Sequence, residues 1–264
     1  MAGHERIAAA FAGCDKRAAL MPYVMGGYPD IGASREIGKA CAAAGADLLE
    51  VGVPFSDPLA DGPVIHAAGT AALRAGVTTE AVLGVAEALA RDVPVVLMCY
   101  ANLVLRRGVD EFARAAAAAG ASGLIVPDLP AEEAPAAREA CDAHGVALVP
   151  LVAPTTPDDR LELIGSNARG FLYAVSVTGT TGERRDFGES SREVIARAAA
   201  HTSVPVAIGF GITTPEHALA AAEAGADGVI VASRLVRAAG EAANPAEVVG
   251  ELVSGFADAL GTPR

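Results

Sequence analysis

The chain has 264 residues with 60 alanines and no tryptophan, so its 52% apolar fraction and mean hydropathy of +0.37 come largely from small side chains. No window supplies the run of about 20 strongly apolar residues that a membrane-spanning helix needs, and the most apolar stretch, 115–126, is interrupted by Gly120, Ser122 and Gly123. Twenty basic against 32 acidic side chains leave a net charge of −12, with no basic cluster beyond Arg106-Arg107 and Arg184-Arg185, which excludes the phosphate-neutralising face of a nucleic-acid binder. The N-terminus shows no signal-peptide pattern, and Cys14, Cys41, Cys99 and Cys141 have neither CxxC nor metal-ligand spacing. The expectation is a soluble, cytoplasmic chain with free thiols.

In chain order, a leading helix near 5–12 precedes strands at 20–26, 47–53, 94–99, 123–126, 147–152, 170–175, 205–209 and 228–231. Helical patterns fall between the strands, clearest at 109–119, 132–143, 192–200, 215–224 and 246–259. A weak repeat sets the arrangement. CAAAGADLLEVGVP (41–54), AAAAGASGLIVPDLP (116–130) and AAEAGADGVIVAS (221–233) each run an Ala-rich helix into a glycine suited to a left-handed cap, then into a short apolar strand. No linker or charge block divides the chain, which reads as one domain over 1–264. Eight βα units of 33 residues match a (β/α)8 TIM barrel of about 250 residues, with the leading helix as an extra N-terminal element covering its floor. An open doubly wound sheet would carry a GxGxxG turn after its first strand, and Gly26-Gly27-Tyr28-Pro29 does not match.

Barrel chemistry sits at the carboxyl ends of strands. Glu50 interrupts an otherwise apolar strand, where burial would raise its pKa into the range useful for proton transfer; a structural ion pair with an arginine is the alternative. The loop that follows, 54–63, is rich in proline and acidic residues. Asp57 and Asp61 in it are candidates either for capping the helix that begins near 63–65 or, for Asp61, for facing a common cavity with Glu50. Small-residue loops at 176–182, 209–212 and 231–233 end three successive strands, the place where barrels of this kind bind phosphate on backbone N–H groups. The two lysines, Lys16 and Lys39, lie in or beside helices, so imine chemistry from a strand-borne lysine is excluded, and the five histidines do not converge as metal ligands. Carboxylates and hydroxyls remain, with Tyr100, Asn102, Asp128 and Tyr173 as further polar residues at strand ends.

The stretch LLEVGVPFSDPLADGPVI (48–65) resembles the signature of the tryptophan synthase alpha subunit family. Similar matches run along nearly the whole chain at 21–30, 99–104, 125–133, 171–182 and 209–216. The resemblance implies a barrel that cleaves indole-3-glycerol phosphate to indole and glyceraldehyde 3-phosphate without a cofactor or metal of its own. It also implies a pyridoxal-phosphate beta subunit as partner in an αββα complex. Carried over by residue, Glu50 is the general acid/base, Asp61 the second catalytic carboxylate and Tyr173 a supporting tyrosine. Tyr23, Met98 and Phe210 line the indole pocket, and Gly182, Gly211, Ala232 and Ser233 hold the phosphate. Thr181 belongs to a lid over 177–190, and Asp57 faces the partner and serves in signalling to it. Ala232 stands where the family has glycine, and Met25 where threonine is common. A stand-alone lyase releasing free indole shares every one of these residues, and a non-catalytic barrel that only activates its partner is a third reading.

Overall fold

A computed structural model describes residues 1–175 and 188–261. The repeated junctions fold alike. Gly45, Gly120 and Gly225 each take a positive φ, of 100°, 74° and 97°, turning the chain from helix to strand. In two of the repeats the following aspartate ties the junction to the neighbouring strand: Asp47 accepts from the Leu20 N–H at 2.7 Å and Asp227 from the Val206 N–H at 2.8 Å. In the third repeat Ser122 stands in the aspartate's place, and its buried hydroxyl has no partner among the described residues.

Between these junctions the elements run α1 (Gly3–Ala12), β1 (Ala19–Met25), α2 (Ile31–Ala43), β2 (Leu49–Gly52), α3 (Pro63–Arg74), α4 (Thr79–Leu89), β3 (Val95–Met98), α5 (Ala101–Arg107), α6 (Val109–Ala118), β4 (Ala121–Ile125), α7 (Pro135–Ala143), β5 (Ala147–Val149), β6 (Leu151–Val152), α8 (Asp158–Ser166), β7 (Leu172–Val175), α9 (Glu189–Ala200), β8 (Val206–Gly209), α10 (Pro215–Glu223), β9 (Gly228–Val231), α11 (Ser233–Glu241) and α12 (Pro245–Leu260). All strand pairs are parallel, in the order β5-β4-β3-β2-β1-β9-β8-β7-β6. The sequence pattern predicts one strand at 147–152; the structure divides it at Pro150, which has no N–H to give to a ladder. The first half bonds to β4 and the second to β7, so strand five joins the two ends of the sheet and the eight-stranded barrel closes. No helix among the described residues is long and apolar enough to cross a membrane, and all four cysteines are free.

Strand alternation separates two apolar layers. Leu20, Val24, Leu49, Val51 and Leu97 face the helices, while Met21, Tyr23, Val96, Met98 and Phe171 fill the barrel interior. The α1 helix closes the floor as the sequence suggests. Its Arg6 guanidinium donates to the Gly120 and Ala90 carbonyls at 3.0 and 2.6 Å, and its Ile7, fully buried, packs against Gly123 and Gly170 at the bottom of the interior. Above it a column of rings climbs the barrel: Phe11 lies 5.9 Å from Phe171, Phe171 6.3 Å from Tyr173, and Tyr173 6.1 Å from Phe210 at the mouth. The floor therefore supports the site from below. Ile7→Ala is expected to lower unfolding stability by about 2–4 kcal/mol in urea titrations with an unchanged m-value; a loss below about 0.5 kcal/mol would show that α1 does not seal the interior.

Candidate active site

The site is built around β2. Leu49 and Val51 point outward, so Glu50 between them points into the barrel, in register with Tyr23 of β1 and Val96 of β3. Its side chain is 1% exposed and its Oε2 has no hydrogen-bond partner among the described residues. No arginine pairs with it in the ion pairs of the described residues. Burial, with the Asp61 charge adding to it, pushes the Glu50 carboxyl up to about 8. At neutral pH this group keeps its proton.

Asp61 meets a different environment. The Tyr100 hydroxyl donates to its Oδ1 at 2.8 Å and accepts from the Ala60 N–H at 3.1 Å, while the Tyr100 ring stacks on Phe55 at 5.2 Å. One tyrosine at the end of β3 thus staples the stiff loop after β2 and aims its aspartate. Burial raises the Asp61 pKa, and the Tyr100 hydrogen bond and His66 oppose that rise by favouring the charged form. Helix capping is not its role, nor that of Asp57. The N-cap of α3 is Gly62 with no side-chain cap, and Asp57 is exposed, accepting from the Ser56 hydroxyl at 2.5 Å.

Two tyrosines close the interior around Glu50 by the same device. Tyr23 reaches over Gly52, two residues beyond its register partner, and Tyr173 reaches over Gly209, two beyond its own. A Cβ at Gly52 would lie 1.8 Å from the Tyr23 hydroxyl, and one at Gly209 would lie 2.2 Å from that of Tyr173. Both strand ends must therefore be glycine for the rings to lie flat across the barrel. The Tyr23 hydroxyl rests 3.9 Å from the Met25 sulfur, which gives this departure from the family's threonine a local contact. Burial first, then the carboxylate charges, holds both phenols well above their ordinary pKa, so both stay protonated.

At the mouth, Phe210 takes a positive φ of 71°, a strained conformation for a large residue, and Gly211 follows at 83°. That turn sets the Phe210 ring edge-on against Tyr173. Opposite, α11 begins at Ser233, and its first N–H groups precede the first intrahelical donors, which are those of Leu235 and Val236 to the Ala232 carbonyl, both at 3.0 Å. Ala232 has φ −120°, so its position demands no glycine.

These residues line one cavity at the barrel mouth. It brings together Glu50, Asp61, Tyr173, Tyr23, Met98, Phe210, Gly211, Ala232 and Ser233, all singled out in the sequence. Asp57 lies outside it on the surface, and Thr181 and Gly182 fall outside the described residues. Ile65, Ile212, Thr213 and Ile230 line it unannounced, and Tyr100, noted in the sequence only as a strand-end polar group, holds Asp61. The signal for Tyr100 was its position directly after an apolar strand run.

A closed eight-stranded barrel with a pocket at the carboxyl ends of its strands defines a (β/α)8-barrel protein with its candidate site where barrel enzymes carry theirs. Residues 10–259 match the family described as tryptophan synthase alpha chain. The chain is 50% identical over 222 residues to the tryptophan synthase alpha chain of Methanosarcina mazei, covering 84% of this chain and 81% of that one. A solved Mycobacterium tuberculosis tryptophan synthase superposes with a TM-score of 0.91 at 40% identity, over 97% of this chain and 98% of that one. A chain of the Pyrococcus furiosus tryptophan synthase α2β2 complex does so with a TM-score of 0.86 at 35% identity, over 92% and 98%. The chain belongs to the tryptophan synthase alpha chain family.

The buried carboxyl has a consequence for stability. In the unfolded chain Glu50 ionises near 4.5, so the folded state binds one more proton from there to about 8, and stability falls as pH rises across that window. Urea midpoints of the parent chain and Glu50→Gln, measured from pH 5 to pH 8, are expected to diverge, with the parent losing ground; parallel profiles would contradict a buried protonated carboxyl.

Proposed function

We propose that this chain is the cytoplasmic alpha subunit of a tryptophan synthase, cleaving indole-3-glycerol phosphate to indole and glyceraldehyde 3-phosphate. The observation that carries the proposal is the pair of carboxyl groups in unlike environments at one cavity, Glu50 dry and protonated, Asp61 hydrogen-bonded by Tyr100 toward its charged form. The Glu50 proton goes to indole C3, making a ring cation whose N–H faces the Asp61 carboxylate. Glu50, now a carboxylate, takes the proton from the hydroxyl on the carbon attached to C3. The bond between that carbon and C3 breaks, its electron pair returns to the ring, and indole and the aldehyde result. The step balances with these two side chains alone.

The rest of the pocket supplies position. Tyr23, Met98 and Phe210 give flat apolar walls suited to an indole, with Tyr173 in support beside them. Gly211 in the loop after β8, with Ala232 and Ser233 at the N-terminus of α11, offers backbone N–H groups to the phosphate, joined in this reading by Gly182. In this reading the family resemblance assigns Thr181, which lies outside the described residues, a contact with Asp61. The indole passes to a beta subunit in an αββα assembly; the Pyrococcus furiosus relative, solved as an α2β2 complex, supports that partner, and the exposed Asp57 in the loop after β2 belongs to the face that signals to it.

Glu50→Gln keeps the shape of the side chain and removes the titrating group. It is expected to lower indole formation from indole-3-glycerol phosphate roughly 10²- to 10⁴-fold, with circular dichroism and co-elution with an added beta subunit unchanged. Turnover within a few-fold of the parent chain would overturn the assignment.

A further inference from the structure

The helices that cover strand five leave a second cavity on the outside of the barrel. The space between α7 and α8, over the break at Pro150, has a cavity volume of about 470 Å³, larger than that at the barrel mouth, and the two share no lining residue. Small side chains open it: α7 begins with Ala134 and Pro135 on this side. The walls are apolar, with Leu148 behind and Leu163 and Ile164 of α8 across, and Leu163 is 48% exposed for want of a neighbour.

One cation is fixed inside this apolar space. The partly buried Arg138 of α7 donates to the Asn167 Oδ1 at 2.7 Å, and the Asn167 Nδ2 is committed to the Leu163 carbonyl at 2.8 Å, so the amide bridges the two helices and holds the guanidinium in place. Asn167 is neutral, and Arg138 forms no ion pair among the described residues. Arg160 on the opposite wall is already paired with Glu132 at 2.6 Å. Asp128 also lines the cleft, where its Oδ1 accepts from the Ala101 N–H at 2.8 Å, and it forms no ion pair with Arg138 among the described residues. A guanidinium without an ion-pair partner in a largely apolar cleft suits a flat apolar body carrying a single carboxylate, which a planar guanidinium binds through two parallel hydrogen bonds.

We propose that the cleft between α7 and α8 binds a small aromatic carboxylate, its acid on Arg138 and its ring between Leu148 and Leu163. The proposal does not depend on the reaction assigned to the barrel mouth. The test is calorimetric titration of the full-length chain with 2-naphthoate, alone and with excess indole. Expected are one saturable site indifferent to indole, binding weakened about tenfold or more when 2-naphthamide replaces the acid or in Arg138→Gln, and loss of binding in Leu163→Trp, which fills the cleft from its exposed side. The amide comparison needs no variant and stands if either variant folds poorly. Absence of binding overturns the proposal, as does binding that indole displaces and that both variants retain, since the probe then sits in the barrel mouth. If the probe fails to bind while either variant weakens association with a beta subunit, the cleft is a protein-docking surface and the proposal also falls.

Discussion

A carboxyl group with no cationic partner among the described residues, buried inside a barrel, is the constraint on which the rest of this structure depends. Glu50 can stay there only in its neutral form, because an ionised carboxylate in such surroundings is costly to desolvate. Keeping it dry requires a floor, walls and a partial roof. The α1 helix supplies the floor through Ile7, the ring column from Phe11 to Phe210 supplies one wall, and Tyr23 and Tyr173 lie across the interior over Gly52 and Gly209. These elements come from both ends and the middle of the chain, from α1 to the loop after β8, and together they enclose the space around one side chain.

The second carboxylate has meaning only by contrast with the first. Asp61 is on a loop and partly open; burial raises its pKa as it raises that of Glu50, but the Tyr100 hydrogen bond, which has no counterpart at Glu50, opposes the rise. Two like groups are thereby given unlike protonation at the same pH, which is the condition for one to deliver a proton while the other stabilises the cation that results. Tyr100 matters to both the loop and the charge, since the same hydroxyl binds the Ala60 N–H and the Asp61 carboxylate. The loop's position and its aspartate's charge cannot be varied independently.

Much of this was legible in the sequence, for physical reasons. The helix-to-strand junctions could be read because a glycine in the left-handed region followed by a short apolar run is a local device, whereas the tie of Asp47 and Asp227 to the preceding strand needed the structure. Glu50 could be read because a lone acid in a doubly buried strand breaks the apolar run. The break at Pro150 was harder: one proline inside an apolar stretch marks an irregularity, but not that the two halves pair with different neighbours. Choosing between a cap and a cavity-facing place for Asp61 needed the position of Tyr100, 39 residues away, and no local pattern carries that. The cleft beside Arg138 arises from the spacing of two helices and has no sequence signature at all. Thr181 and Gly182 rest on the resemblance alone, since they lie outside the described residues.

The central claim is that Glu50 carries its proton at neutral pH because of where the fold puts it. Carbon-13 NMR titration of the glutamate side-chain carboxyls in the ligand-free chain, with the Glu50 signal assigned by its absence in Glu50→Gln, tests this directly. The account predicts an apparent pKa of about 8 for that signal. A midpoint at the ordinary glutamate value near 4.5 would contradict it.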